Sequence, residues 1–252
     1  MSSPGEFYNS LPPISKGFAT MCVVTTTAAR LGLLAPERVA ILYNEVFSHF
    51  QVWRLVTSFF FLGNFSINFG IRLLMILRYG VQLEKGPFER RTADFLWMMI
   101  FGGLTLLVLA AIPFLWTPFL GTSLVFMLVY VWSREFPNAQ INLYGLVALK
   151  AFYLPWALLA IDVIFGANIL PDLLGIVAGH LYYFLTVLYP LAGGKNILKT
   201  PLWVHRIVQR YRIGFPWPSN AAAAAATQGG RDMNTSSSTS TAFRGRSYRL
   251  TD

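Results

Sequence analysis

Apolar residues run along this chain in long blocks with short polar or basic breaks between them, neither alternating as in a half-buried strand nor confined to one helical stripe. Six blocks, near residues 17–36, 66–83, 94–113, 116–133, 145–166 and 170–190, approach the length of about 20 residues that a helix needs to cross the hydrocarbon of a bilayer. The pattern predicts an all-α membrane protein. It has an N-terminal segment at 1–16, a six-span membrane domain at 17–192, a basic juxtamembrane segment at 193–215 and a tail at 216–252.

The second block is the weakest. "INFGIRLLMILRYG" has a short apolar centre and carries Arg72 and Arg78. Charges in a span are costly in lipid and face a bundle interior or a wet cavity, so this helix is either short or lets its arginines reach the interface.

The connections between blocks are unequal. Residues 37 to 65, "ERVAILYNEVFSHFQVWRLVTSFFFLGNF", are long, aromatic and amphipathic, and predict a structured segment lying at the membrane surface. They end in a glycosylation sequon, Asn64-Phe65-Ser66, that abuts the next span. "QLEKGPFERRT", Arg134 and the stretch after the last span (Lys195, Lys199, Arg206, Arg210, Arg212) are basic, whereas the loops around Pro113–Pro118 and "GANILP" carry no charge. Basic loops on one side predict that both termini are cytoplasmic. In "TPLWVHRIVQRYRIG" an apolar stripe of Trp203, Ile207, Val208 and Tyr211 opposes arginines. That helix either lies on an anionic leaflet or packs on the end of the bundle. From Pro216 the Ala runs and "MNTSSSTST" predict disorder.

Composition agrees with a membrane class. Of the 252 residues, 55% are hydrophobic and 12% charged, against about a quarter charged in soluble domains; mean hydropathy is +0.52. The net charge of +9 is placed beside the apolar blocks and in the tail, as membrane orientation requires, and nucleic acid is not a partner. Cys22, the single cysteine, excludes an intramolecular disulfide and is read as a small buried hydrophobe. The first fifteen residues carry no cleavable signal pattern, so the first block acts as an uncleaved insertion signal.

"VWRLVTSFFFLG", "MLVYVWSREFPN", "FYLPWALL" and "AGHLYYFL" together resemble the Derlins, a branch of the rhomboid superfamily, over roughly residues 5 to 205. The resemblance implies a rhomboid-like six-helix bundle of the endoplasmic reticulum with Trp53-Arg54 as its loop motif. It also implies a non-proteolytic role in retrotranslocating misfolded proteins to the cytosol. A scaffold of this kind bends and thins the membrane, and the polar stripe of Asn68 and Arg72, one turn apart, is the candidate for that work or for contact with clients.

Active rhomboids pair a serine in Gly-x-Ser-Gly on the fourth helix with a histidine in His-x-x-Gly-x-x-x-Gly on the sixth. Laid on "PDLLGIVAGHLYYFL", the glycines are Gly175 and Gly179, and the histidine position holds Asp172. "LGTSLVF" keeps Ser123 but has Leu124 for the second glycine. His180 stands eight residues beyond Asp172, about 12 Å along a helix. Without a base, no enzymatic activity is expected. Ser123 is read as a hydroxyl bonded to its own backbone, His180 as an interhelical hydrogen-bonding group, and the Gly175/Gly179 pair as a close-packing face. Lys150 and Asp162 are read as span-end charges reaching water. No cofactor or metal is expected. The alternative is an active intramembrane serine protease using Ser123 and His180; a small-solute transporter lacks the paired broken half-helices that such proteins often show.

"TAFRGRSYRLTD" resembles the box by which Derlins bind the AAA ATPase valosin-containing protein. Phe243, Gly245 and Leu250 match, with Ser247 in place of the second glycine. The remaining partners that the resemblance implies are misfolded clients, a membrane-embedded ubiquitin ligase complex, membrane lipid, and further copies or relatives of the chain in a homo- or hetero-oligomer.

Overall fold

The computed structural model describes residues 4–143, 147–195 and 197–213. The low-complexity tail, with Phe243, Gly245 and Leu250, lies outside the described residues. Each predicted apolar block carries a helix: α1 (Pro13–Arg30), α2 (67–85), α3 (Thr92–Ala110), α4 (Gly121–Glu135), α5 (Leu154–Ile164) and α6 (170–191). A seventh, α7 (Leu202–Arg210), follows.

Helix α4 is the axis. It is apolar around its whole circumference, and every residue from Gly121 to Ser133 is buried, as an all-round apolar helix must be. Helices α2, α3, α5 and α6 pack around it. The core includes Phe95 and Met98 of α3, Phe126 and Val129 of α4, and Leu154 of the α5 entry. Helix α1 packs on α2. Two of these helices, Thr92–Ala110 and Leu170–Leu191, are long and apolar enough to cross a membrane by length and composition, and Ala151–Ile164 is a shorter apolar stretch.

Local chemistry sets the ends. Pro12 and Pro13 start α1 with a fixed φ but offer no side-chain cap. The cap comes from the last turn of α2, where buried Glu84 accepts the Ile14 N–H (3.0 Å), the Ser15 N–H (2.8 Å) and the Ser15 hydroxyl (2.7 Å). Ser66 caps α2 by accepting the Phe69 N–H at 3.3 Å. A π-helical turn at Ile76–Gly80 interrupts α2, and a second at Phe184–Leu188 interrupts α6. Gly166, with φ of 72°, ends α5 and lets the Ala167 N–H return to the Asp162 carbonyl at 2.8 Å.

Two expectations are corrected. The fourth block becomes helical only at Gly121, because Pro113 and Pro118 cannot supply ladder donors; instead the Pro118 carbonyl accepts the Ile41 N–H of the long loop at 2.8 Å. The fifth block does not begin a helix at 145. Gln140–Leu143 and Val147–Lys150 form an antiparallel hairpin, β1 and β2, with Ile141 opposite Leu149, so the fold is not purely α. A single 3₁₀ turn and Pro155 then start α5. Its 11 residues extend only about 16 Å.

The segment 37–65 is structured. Three single turns, Pro36–Val39, Tyr43–Ser48 and Arg54–Thr57, bury Ile41, Val46 and Leu62 and leave Phe47, Phe50 and Val56 exposed. The amphipathic α7 packs on the bundle. Val204 and Val208 are buried against Ala93, Leu96 and Trp97 of α3, and the rings of Trp97 and Trp203 meet edge to face.

Candidate functional site

The residues at the degenerate protease positions do come together, at the N-terminal end of α4. There the loop strand after Ser58 crosses the helix so closely that a Cβ on Gly121 would stand 2.7 Å from the Phe59 carbonyl oxygen and 2.8 Å from that of Phe61. The first glycine of "GTSL" thus serves loop passage, and the Leu120 N–H bonds the Ser58 carbonyl at 3.0 Å.

Ser123, one turn in, is fully buried, and its hydroxyl has no hydrogen-bond partner among the described residues. The expected bond to its own backbone is absent, because α6 lies directly against it. At Gly175 a Cβ would collide with the Ser123 carbonyl oxygen and stand 2.6 Å from the Cβ of Phe126. At Gly179 a Cβ would stand 2.9 Å from the Cβ of Tyr130. The two glycines therefore bring the backbone of α6 onto α4.

His180 is nowhere near the serine. Its Nδ1 is hydrogen-bonded to the Tyr130 hydroxyl at 2.7 Å, seven positions along α4 from Ser123, or about 10 Å. No Ser123–His180 dyad forms. Asp172, in the histidine position, is fully buried, and neither carboxyl oxygen meets a donor among the described residues. Its acidic neighbour is Asp162 of α5.

Asp162 overturns the expectation of a span-end group in water. Its carboxylate stands 3.9 Å from the Arg72 guanidinium, and both side chains are less than one-fifth exposed. Arg72 also donates to the Leu62 carbonyl at 3.1 Å. One guanidinium thus ties α2 to α5 and to the loop, with Asn68 half-buried one turn earlier. Lys150 sits on β2 and is exposed, and Arg78 is exposed beside the Tyr79 ring.

Above this cluster opens a cavity of about 380 Å³, lined among others by Arg72, Thr117, Thr122 and Asn168. The Thr117 hydroxyl is buried without a hydrogen-bond partner among the described residues. Arg72 and the Thr117 and Thr122 hydroxyls set polar groups into a wall otherwise lined mainly by apolar residues such as Phe61, Trp116 and Phe119. Its polar groups can meet a peptide backbone or water, and no base stands beside the Ser123 hydroxyl among the described residues.

The loop motif divides. Arg54 is buried and donates to the carbonyls of Glu37 and Ala40 and to Gln51 Oε1, so one side chain gathers three points of the 37–65 segment. Trp53 does not clamp the loop with its ring, which is over half exposed. Its carbonyl accepts the Thr57 hydroxyl at 3.0 Å. Sequence reasoning missed the Thr117 recess and the Glu84 cap. The one signal for the latter was Glu84, an acid at the helix end of the basic stretch "QLEKGPFERRT".

The Der1-like family model matches residues 11–202. Over the whole of both chains the sequence is 68% identical to a protein of Arabidopsis thaliana called Derlin-1. It is 64% identical to the Derlin-1 of Oryza sativa subsp. japonica over 99% of each chain. Further off, it is 41% identical to a probable derlin-2 homolog of Dictyostelium discoideum, over 80% of this chain and 82% of that one. A match of this extent, on a helical bundle, makes this chain a member of the Der1-like family of membrane proteins, the Derlins.

Proposed function

We propose that the chain is a non-proteolytic, rhomboid-like component of endoplasmic-reticulum-associated degradation that helps misfolded proteins cross from the endoplasmic reticulum to the cytosol. The observation that carries this reading is a serine without a base beside a cavity that carries polar groups in its wall. Ser123 has no base among the described residues, His180 is committed to Tyr130, and Arg72 and Thr117 line the cavity at the end of α4.

On this reading both termini are cytoplasmic, and the 37–65 segment and α2 face the client. Helix α5, at about 16 Å, falls far short of the about 30 Å of a bilayer's hydrocarbon core. That mismatch supports local thinning of the membrane around α5 and α2, with Asn68 and Arg72 keeping the opening wet. Phe243, Gly245 and Leu250 dock the AAA ATPase valosin-containing protein, which supplies the pulling force. A membrane-embedded ubiquitin ligase complex and further Derlin copies complete the assembly.

The test tracks a misfolded reporter and ATPase pull-down in the same cells. The double variant Phe243→Ala, Leu250→Ala loses the ATPase and slows reporter turnover, and Ser123→Ala leaves turnover unchanged. A reporter cleaved within its membrane segment, with cleavage abolished by Ser123→Ala, would sink the reading in favour of the protease.

A further inference from the structure

A second polar pocket, of about 490 Å³, opens at the opposite end of the bundle, where α3 begins and α4 and α6 end. Its walls include Arg91, Asp94 and Trp97 around α3, Glu135 of α4, and Lys199 and His205 beside and on α7. Asp94 is already used: it takes the Arg91 guanidinium at 2.7 Å and the Thr200 hydroxyl at 2.5 Å.

Three other groups are not used. The Trp97 indole N–H is buried and has no acceptor among the described residues, a costly state for a donor. The Lys199 ammonium and the Glu135 carboxylate make no hydrogen bond or ion pair among the described residues. Burial pushes the Glu135 carboxyl above the usual carboxylate range, and Arg91 offsets this in part. The pocket therefore offers in its wall both a free cation, Lys199, and a free carboxylate, Glu135.

The surroundings of the pocket are apolar. Helix α7 buries Val204 and Val208 but leaves Leu202 and Trp203 exposed, 73% and 47%, with the Trp203 ring against Trp97 of the pocket wall, and Tyr211 just after it is exposed as well. The end of α6 leaves Leu188, Tyr189 and Leu191 exposed as well. In a membrane protein, an apolar ledge beside a polar pocket marks the level where lipid headgroups meet acyl chains.

We propose that this pocket seats the headgroup of a zwitterionic phospholipid. The phosphate lies on Lys199 and Arg91, the ammonium lies against Glu135, and the acyl chains leave over the exposed face of α7. A headgroup with net negative charge fits worse, because Glu135 and Asp94 repel it. Lipid seating here is independent of client dislocation and needs only that the chain sits in a membrane.

The experiment is native mass spectrometry of the full chain in mild detergent. It is loaded with phosphatidylcholine or phosphatidylglycerol of identical acyl chains, with glycerophosphocholine as a soluble competitor. The wild type retains phosphatidylcholine about fivefold over phosphatidylglycerol, a modest difference of the size one charge contact yields. Lys199→Ala lowers retention of both lipids by a similar factor, and Glu135→Gln keeps binding but erases the preference. Both side chains belong to exposed residues, so the unfolding midpoint stays near wild type in each variant. Equal retention by all three proteins would overturn the site, as would a wild-type preference for phosphatidylglycerol. Displacement of the lipid by equimolar glycerophosphocholine would move the site to a soluble headgroup compound and overturn the lipid assignment.

Discussion

Gly175 of α6 rests on the carbonyl of Ser123 of α4, with no room for even a methyl group between the two helices. The contact explains the glycine at 175, since any side chain there would meet the backbone of position 123. The pair holds the bundle's central packing whether or not a base stands at position 172.

Gly175→Ala should therefore push α6 off α4 and destabilise the protein by about 1–3 kcal/mol, the usual cost of overpacking. Gly179→Ala should cost less, since its nearest neighbours are the Cβ and ring of Tyr130 and not a backbone carbonyl. Thermal unfolding of the purified variants in one detergent checks the order. Equal midpoints for Gly175→Ala and wild type would remove the close-approach argument.

Glu84 and Ser15 make the second test. Replacing Glu84 by Ala strands two backbone donors at the start of α1 and the Ser15 hydroxyl. The expected loss is about 1–3 kcal/mol, the cost of leaving buried donors unpaired. Glu84→Gln keeps one acceptor oxygen and should fall between Ala and wild type. Hydrogen exchange at the first turn of α1 reads this directly, and should rise in the Ala variant before any global unfolding.

Arg54 predicts a split within the loop motif. Lysine cannot reach the Glu37 and Ala40 carbonyls and Gln51 together, so Arg54→Lys should loosen the 37–65 segment and expose it to limited proteolysis despite the retained charge. Trp53→Ala removes a ring that is over half exposed. It should change fold stability by no more than about 0.5 kcal/mol. Identical cleavage of both variants would show that the clamp does not hold the loop.

The Arg72–Asp162 pair gives the functional prediction. Arg72→Met leaves Asp162 without its cation and removes the tie to the Leu62 carbonyl. Turnover of a misfolded reporter should slow several-fold, because uncompensated buried charge costs more than the pair contributes. The double variant Arg72→Met, Asp162→Leu restores charge balance, so it should recover fold stability without recovering turnover. Full recovery of turnover would reduce the cluster to a structural role.

The positions of the six helices were legible in the chain, because hydropathy is a local property that each apolar block carries by itself. So was the failed dyad: Asp172 and Leu124 occupy positions where the resemblance demands a histidine and a glycine, and no folding can supply them. The spacing of Gly175 and Gly179 likewise announced a close-packing face. Partners distant in sequence were not legible. Ser15 and Glu84 are 69 residues apart, and Asp162 meets Arg72 across two different helices, so which charge faces which depends on the rotation of each helix about its axis. The hairpin at 140–150 was hidden for a related reason. "QINL" and "VALK" are apolar enough to extend a helix, and only the pairing of Ile141 with Leu149 selects a strand. The sequence alone determined which segments could enter the bundle and which residues stand at positions 123, 124 and 172. The tertiary structure decided which polar groups are satisfied and which are left open, because burial and hydrogen bonding are settled by neighbours that the chain brings together only when it folds.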